Sequence, residues 1–160
     1  MGKAQQDVGK DTERRVAAYF RERGLAGVER AVRTGFRAGG RSVDDVGDLT
    51  GIPGVCVQVK SLRPATRAEF MTGRWLAETE QQRAASGASL GLLVVRRWGT
   101  TDVGRWWCFL HLRDLYGMAD GYSGQLLQDL DLAGVPVRMQ LADAVSLLQA
   151  HGWAPAQVAG

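Results

Sequence analysis

Three features of this 160-residue sequence predict one α/β domain in which helices pack on a sheet. Short β-prone runs and longer helix-patterned stretches follow in the order helix, three strands, helix, two strands, then helices, the signature of an α/β sandwich. Apolar residues make up 45% and charged residues 23%, enough for a real core and too few charges for wholesale disorder. Neither repeats nor low-complexity tracts divide the chain.

The first helix is expected from about Asp11 to Arg23, with Asp11 or Thr12 as its cap and Gly24 at its C-terminal stop. Its apolar stripe runs through Val16, Ala17, Tyr19 and Phe20. Glu13 lies on that stripe, so its carboxylate either points into the body of the fold or is a first-turn acid favoured by the helix dipole. Val28–Arg33 reads as a strand, and Gly35–Arg41 as an exposed, glycine-rich basic loop. Val46–Ile52 and Val55–Lys60 flank Pro53-Gly54 and read as a hairpin. A helix follows over Arg67–Ala85, with Thr72-Gly73 as its weak point. Leu90–Val95 and Arg105–Leu112 are strands separated by the turn at Gly99–Asp102. From Arg113 the pattern becomes helical and looser, ending in an amphipathic helix over Leu141–His151 with Ala144, Leu147 and Leu148 inward.

Composition excludes several classes. Neither a run near the ~20 apolar residues of a membrane span nor an N-terminal apolar signal segment is present, so a cytoplasmic protein without membrane association is expected. Cys56 and Cys108 are too far apart for a Cys-x-x-Cys pair and read as buried thiols. Residues 1–70 hold 13 Lys/Arg against 9 Asp/Glu, whereas residues 71–160 hold 7 against 8. A basic N-terminal half suits a polyanion, although such an excess alone is more often a solvated face. Lys3, Lys10 and Lys60 are the only lysines among 20 basic residues. Lys60 therefore stands out, because a compact ammonium and a planar guanidinium are not interchangeable.

The hairpin holds the chemistry. Alternation along Val55–Lys60 turns Val55, Val57 and Val59 to one side and Cys56, Gln58 and Lys60 to the other. Asp48 on the partner strand can then converge with Gln58 and Lys60. Such a set suits phosphodiester hydrolysis. A hard cation placed between an anionic phosphate and an incoming hydroxide needs only one or two protein carboxylates. Asp48 would be the anionic ligand, the Gln58 amide oxygen a neutral one, and Lys60 would either lower the pKa of the attacking water or stabilise charge developing on the phosphate.

Asp48 followed by Gln58-Val-Lys60 resembles the PD-(D/E)-x-K nuclease signature, and Glu13 matches that superfamily's frequent helix-1 acid. The stretches Glu13–Phe20 and Asp45–Val55 are similar to those of Holliday-junction-resolvase-like proteins of phages and bacteria. The resemblance covers residues 9–112. It implies a restriction-endonuclease-like sandwich with a central mixed sheet, 113–160 being a helical extension. It also implies a Mg²⁺-dependent DNA endonuclease, Mn²⁺ serving in its place, with Glu13 as a further catalytic and metal-binding acid and four-way or other branched DNA as substrate. Two departures stand. Gly47 replaces the motif proline, and Gln58 replaces the central acid, removing a charge that Glu13 or Glu80 can restore; with neither in reach, a chain that binds DNA without cutting it is the alternative.

Other residues weigh less. Asp44 and Asp45 read as loop acids, Glu78 and Glu80 as solvated helix acids, and the tryptophans as core or interface. His111 and His151 stand alone, which argues against a His-metal nuclease. Arg37, Arg41 and Lys10 are the expected contacts to DNA phosphate. Three readings compete: a junction-resolving nuclease, a restriction-type nuclease acting on duplex or modified DNA, and a catalytically silent DNA-binding module. A four-way junction has two symmetric strands to cut, so the first implies a homodimer, with Arg105–Leu112 and Leu141–His151 as the surfaces to bury.

Overall fold

The computed structural model describes residues 3–31, 47–118 and 134–152. Six strands form one sheet in the spatial order β1 (Glu29–Arg30), β2 (Leu49–Thr50), β3 (Val55–Lys60), β4 (Leu90–Val95), β5 (Trp107–His111) and β6 (Pro136–Gln140). Among the described residues four helices flank it: α1 (Lys3–Glu22), α2 (Ala65–Ser86), α3 (Leu112–Met118) and α4 (Leu141–Ala150). β3 and β4 run parallel, joined through α2, and every other neighbouring pair is antiparallel. The fold is thus α/β with a mixed sheet.

The two faces are covered by different helices. Val16 and Phe20 of α1 and Leu141, Ala144 and Leu148 of α4 share one core with Val55, Val57, Val59, Leu92 and Val94. On the other face, Ala68, Trp75 and Leu76 of α2 pack on Leu93 and Val95. A strand flanked by neighbours and covered on both faces must be buried throughout, and β4 is buried at all six positions. β3 is buried at every position except Lys60.

Local chemistry moves several boundaries. α1 begins at Lys3, so Thr12 is not a cap but a buried interior residue whose hydroxyl donates to the Val8 carbonyl at 2.7 Å. α2 passes unbroken through Thr72-Gly73, where the Thr72 hydroxyl donates to the Ala68 carbonyl at 3.0 Å, and ends at Gly87 in the left-handed conformation. Arg105 belongs to a 3₁₀ turn, Val103–Arg105, capped by the Asp102 carboxylate accepting from the Gly104 N–H at 2.9 Å. β1 is shorter than expected among the described residues, which end at Ala31 on that side.

The largest correction concerns the segment expected to be a helical extension. Pro136–Gln140 is a strand that pairs with β5 from His111↔Pro136 to Trp107↔Gln140. The chain beyond residue 113 therefore completes both sheet and core. The surfaces expected to dimerise are largely used up inside the chain. Trp106, Cys108 and Leu110 are fully buried, and α4 buries Leu141, Ala144, Val145 and Leu148, with Leu147 partly covered. Both cysteines are free and buried, and burial pushes the Cys108 thiol up to about 12. No helix of the described residues is long and apolar enough to cross a membrane.

Candidate active site

Gln58 and Lys60 project from β3 beneath α2. Gln58 is 2% exposed, so each polar atom of its amide needs a partner. One orientation satisfies them all. Its Nε2 donates to Thr79 Oγ1 at 2.7 Å and to the Trp75 carbonyl at 3.1 Å, and its Oε1 accepts from Lys60 Nζ at 3.1 Å. In the reverse orientation the Thr79 hydroxyl, with one proton, faces both Gln58 Oε1 at 2.7 Å and the Trp75 carbonyl at 2.8 Å, and cannot donate fully to both. Lys60, partly exposed, also lies 3.4 Å from a Glu78 carboxylate oxygen. Gln58 and Glu78 thus hold the ammonium between them.

Asp48 approaches β3 from its other neighbour. Its backbone N–H donates to the Val57 carbonyl and its own carbonyl accepts from the Ala31 N–H, both at 2.8 Å. The β2–β3 ladder has one registered pair, Leu49↔Val57. Beyond it, Asp48 Oδ2 accepts the Val59 N–H at 2.7 Å, doing for that strand what a carbonyl would otherwise do. Val59 lies between Gln58 and Lys60 in sequence, so the Asp48 carboxylate is held against the strand segment that bears both. Gly47 permits this approach. Its φ is +96°, and a Cβ there would stand 2.6 Å from the Val57 carbonyl oxygen. Glycine in place of the motif proline is therefore a geometric requirement in this chain.

The structure does not bring Glu13 to this set. Its carboxylate lies 2.5 Å from Arg30 Nε. Arg30 registers opposite Leu49, whose side chain is in the α1 core, so the pair lies on the α1 face, across the sheet from Gln58. Glu80 is likewise engaged elsewhere, bonded to Arg83 and paired with Arg113. The Arg83 hydrogen bond holds the Glu80 carboxyl below the usual range against the opposing effect of burial. Glu78, expected to be a solvated acid, is the carboxylate that reaches Lys60. The available signal was its place three residues after Trp75, a helix spacing that sets it beside the buried face. Lys10 is exposed on α1. Arg37, Arg41, Asp44 and Asp45 lie outside the described residues.

Among the described residues no group of three His, Cys, Asp or Glu side chains could hold a metal ion. The donors at β3 are nevertheless hard oxygens, one carboxylate from Asp48 and one amide oxygen from Gln58, which has a lone pair beyond the one facing Lys60. That set fits Mg²⁺ in kind, because Mg²⁺ keeps several waters and is held by one or two carboxylates together with substrate phosphates. Compared with known proteins, the chain matches no family model, no curated protein and no solved structure.

Proposed function

We propose that this protein is a Mg²⁺-dependent DNA endonuclease acting at Asp48, Gln58 and Lys60, with four-way or other branched DNA as substrate. The observation that carries the reading is the tethered ammonium. The one lysine after residue 10 sits at a strand end, oriented by a buried amide and by Glu78, on the segment that the Asp48 carboxylate grips. A lysine needed only for solubility has no use for a partner that is itself locked to Thr79 and Trp75. A mixed sheet flanked by helices is also the general architecture that the nuclease resemblance implies.

Asp48 and Gln58 would hold the cation, which when bound supplies charge neutralisation and a more acidic water. Lys60 acts on the phosphate. Its ammonium stands ready to stabilise negative charge as it develops, and its tethers reduce the reorganisation required at that moment. Asp48 is fixed at both its backbone groups and at its carboxylate, so its side chain would hold the cation with little reorganisation.

The test is cleavage of four-way junction, flap and duplex DNA with Mg²⁺ or Mn²⁺. Asp48→Ala and Lys60→Ala are each expected to abolish cleavage while sparing DNA binding. Binding without cleavage by the unaltered protein would leave only a DNA-binding module of this fold. One observation favours a second reading of the substrate. Since the expected dimer surfaces lie in the chain's own core, single-strand nicking by a monomer gains ground against coupled junction resolution.

A further inference from the structure

We infer that Arg15, Arg63 and Arg96, gathered around Trp98 and Trp106 where β3 and β4 end, form a clamp for the sugar–phosphate backbone of a DNA strand. Arg63 and Arg96 stack on Trp98 with guanidinium carbons 3.6 and 4.0 Å from the ring centroid. Arg15 and Arg96 lie 5.1 and 5.4 Å from the Trp106 centroid. Three like charges are crowded together, and among the described residues the only carboxylate within ion-pair distance of them is Asp11, 3.9 Å from Arg96 and itself largely exposed. Burial, then the neighbouring Arg15 and Arg63, push the Arg96 guanidinium below its usual range.

A purely structural role does not account for all three. Arg96 is mostly buried and packs between rings. Arg63 is exposed and follows a strand end, so it would escape repulsion by turning into water. A stacked guanidinium spends its face on the ring and keeps its N–H edges, the geometry that forks a phosphate. Among the described residues few of those edges are engaged: Arg15 donates to the Thr101 carbonyl at 2.6 Å and Arg96 to Thr12 Oγ1 at 3.3 Å. A strong positive field with unspent donors is what a polyanion completes.

Position ties the clamp to the site, and the inference rests on the endonuclease reading in this respect. The Arg96 N–H donates to the Lys60 carbonyl and Trp98 Nε1 to the Leu62 carbonyl, both at 2.9 Å. Lys60 leaves the sheet on the α2 side and Arg96 on the α1 side, so a backbone crossing the sheet end meets both.

Anisotropy of a labelled DNA duplex, titrated without divalent metal at several KCl concentrations, tests the clamp. Arg15→Gln and Arg63→Gln are each expected to weaken binding several-fold and to lower the log–log salt slope by about 0.9. Arg63→Lys should keep the slope, and Arg138→Gln, an equal charge loss on β6, should change neither quantity. Exposed Arg63 keeps the test open should Arg15→Gln unfold, which thermal melting would reveal. The clamp is overturned if the double variant Arg15→Gln/Arg63→Gln binds with the parent's affinity and slope, or if the parent binds no duplex at low salt. Cleavage is read separately. A parent that binds through these arginines yet cuts nothing with Mg²⁺ or Mn²⁺ sinks the endonuclease reading alone. A double variant that binds and cuts like the parent sinks the clamp alone.

Discussion

Gln58 has two tasks, to donate its amide protons to Thr79 and Trp75 and to present an oxygen to Lys60. A carboxylate can perform only the second. Gln58→Glu is therefore expected to tighten Mg²⁺ binding, measured by calorimetry, with cleavage equal or higher. The same change should cost about 1–3 kcal/mol of stability, because a buried carboxylate cannot donate to Thr79 or to the Trp75 carbonyl and both donations are lost. A variant with the parent's urea midpoint would mean that the amide sits the other way round. Gly47→Ala tests the neighbouring constraint. Strain at positive φ and the clash with the Val57 carbonyl should destabilise the chain by about 1–3 kcal/mol and move Asp48 off Val59. Cleavage should then fall more steeply than the folded fraction. Equal losses would detach Asp48 from the chemistry.

At the scale of elements, α2 is held to α3 by charge as well as by packing, through Glu80 with Arg83 on its own helix and Arg113 on α3. The Glu80 carboxyl is held below its ordinary value of 4.5, first by the Arg83 hydrogen bond. A depressed carboxyl gives stability that is present above the unfolded-state value and is lost as pH falls through the folded one. Glu80→Gln should thus lower stability at pH 7 by about 1 kcal/mol, discounted for partial exposure. The deficit should shrink below pH 4.5, as followed by urea titration across pH. A deficit that persists in acid would point to packing. The elements also show how far sequence pattern reached. Val55, Val57 and Val59 revealed β3 and its core face, because period-2 alternation survives burial. Alternation alone assigns no neighbour to the opposite face. Parallel pairing with β4 covers it with α2, and a polar residue such as Gln58 gives no sign of this when read alone. Pro136–Gln140 is not readable as a strand from sequence, because an edge strand with alternating partial exposure and an initial proline carries almost no apolar signal. Only its long-range pairing with β5 makes it a strand.

For the whole molecule, the order of elements as far as β5 was legible because it depends on local periodicity, and so was the placing of Gln58 and Lys60 on one side of β3. The Glu13 placement was not, since it turns on which side of the sheet α1 lies and on Arg30 reaching it first. The same long-range information decides the quaternary question. Coupled cutting of a junction needs two sites related by a two-fold axis. A second copy would have to dock on a face with apolar area to spare, but the inner side of β5 and the apolar stripe of α4 are already spent on the core. Exposed large apolar side chains among the described residues are few, with Phe70 on α2 the most prominent. Side chains so scattered fall short of the contiguous patch that marks an interface. The protein is expected to sediment as a monomer at micromolar concentration and to convert supercoiled plasmid to open circles before any linear form appears. A stable dimer that releases linear product directly, or cuts both arms of a junction in one encounter, would restore coupled resolution and place the interface outside β5 and α4.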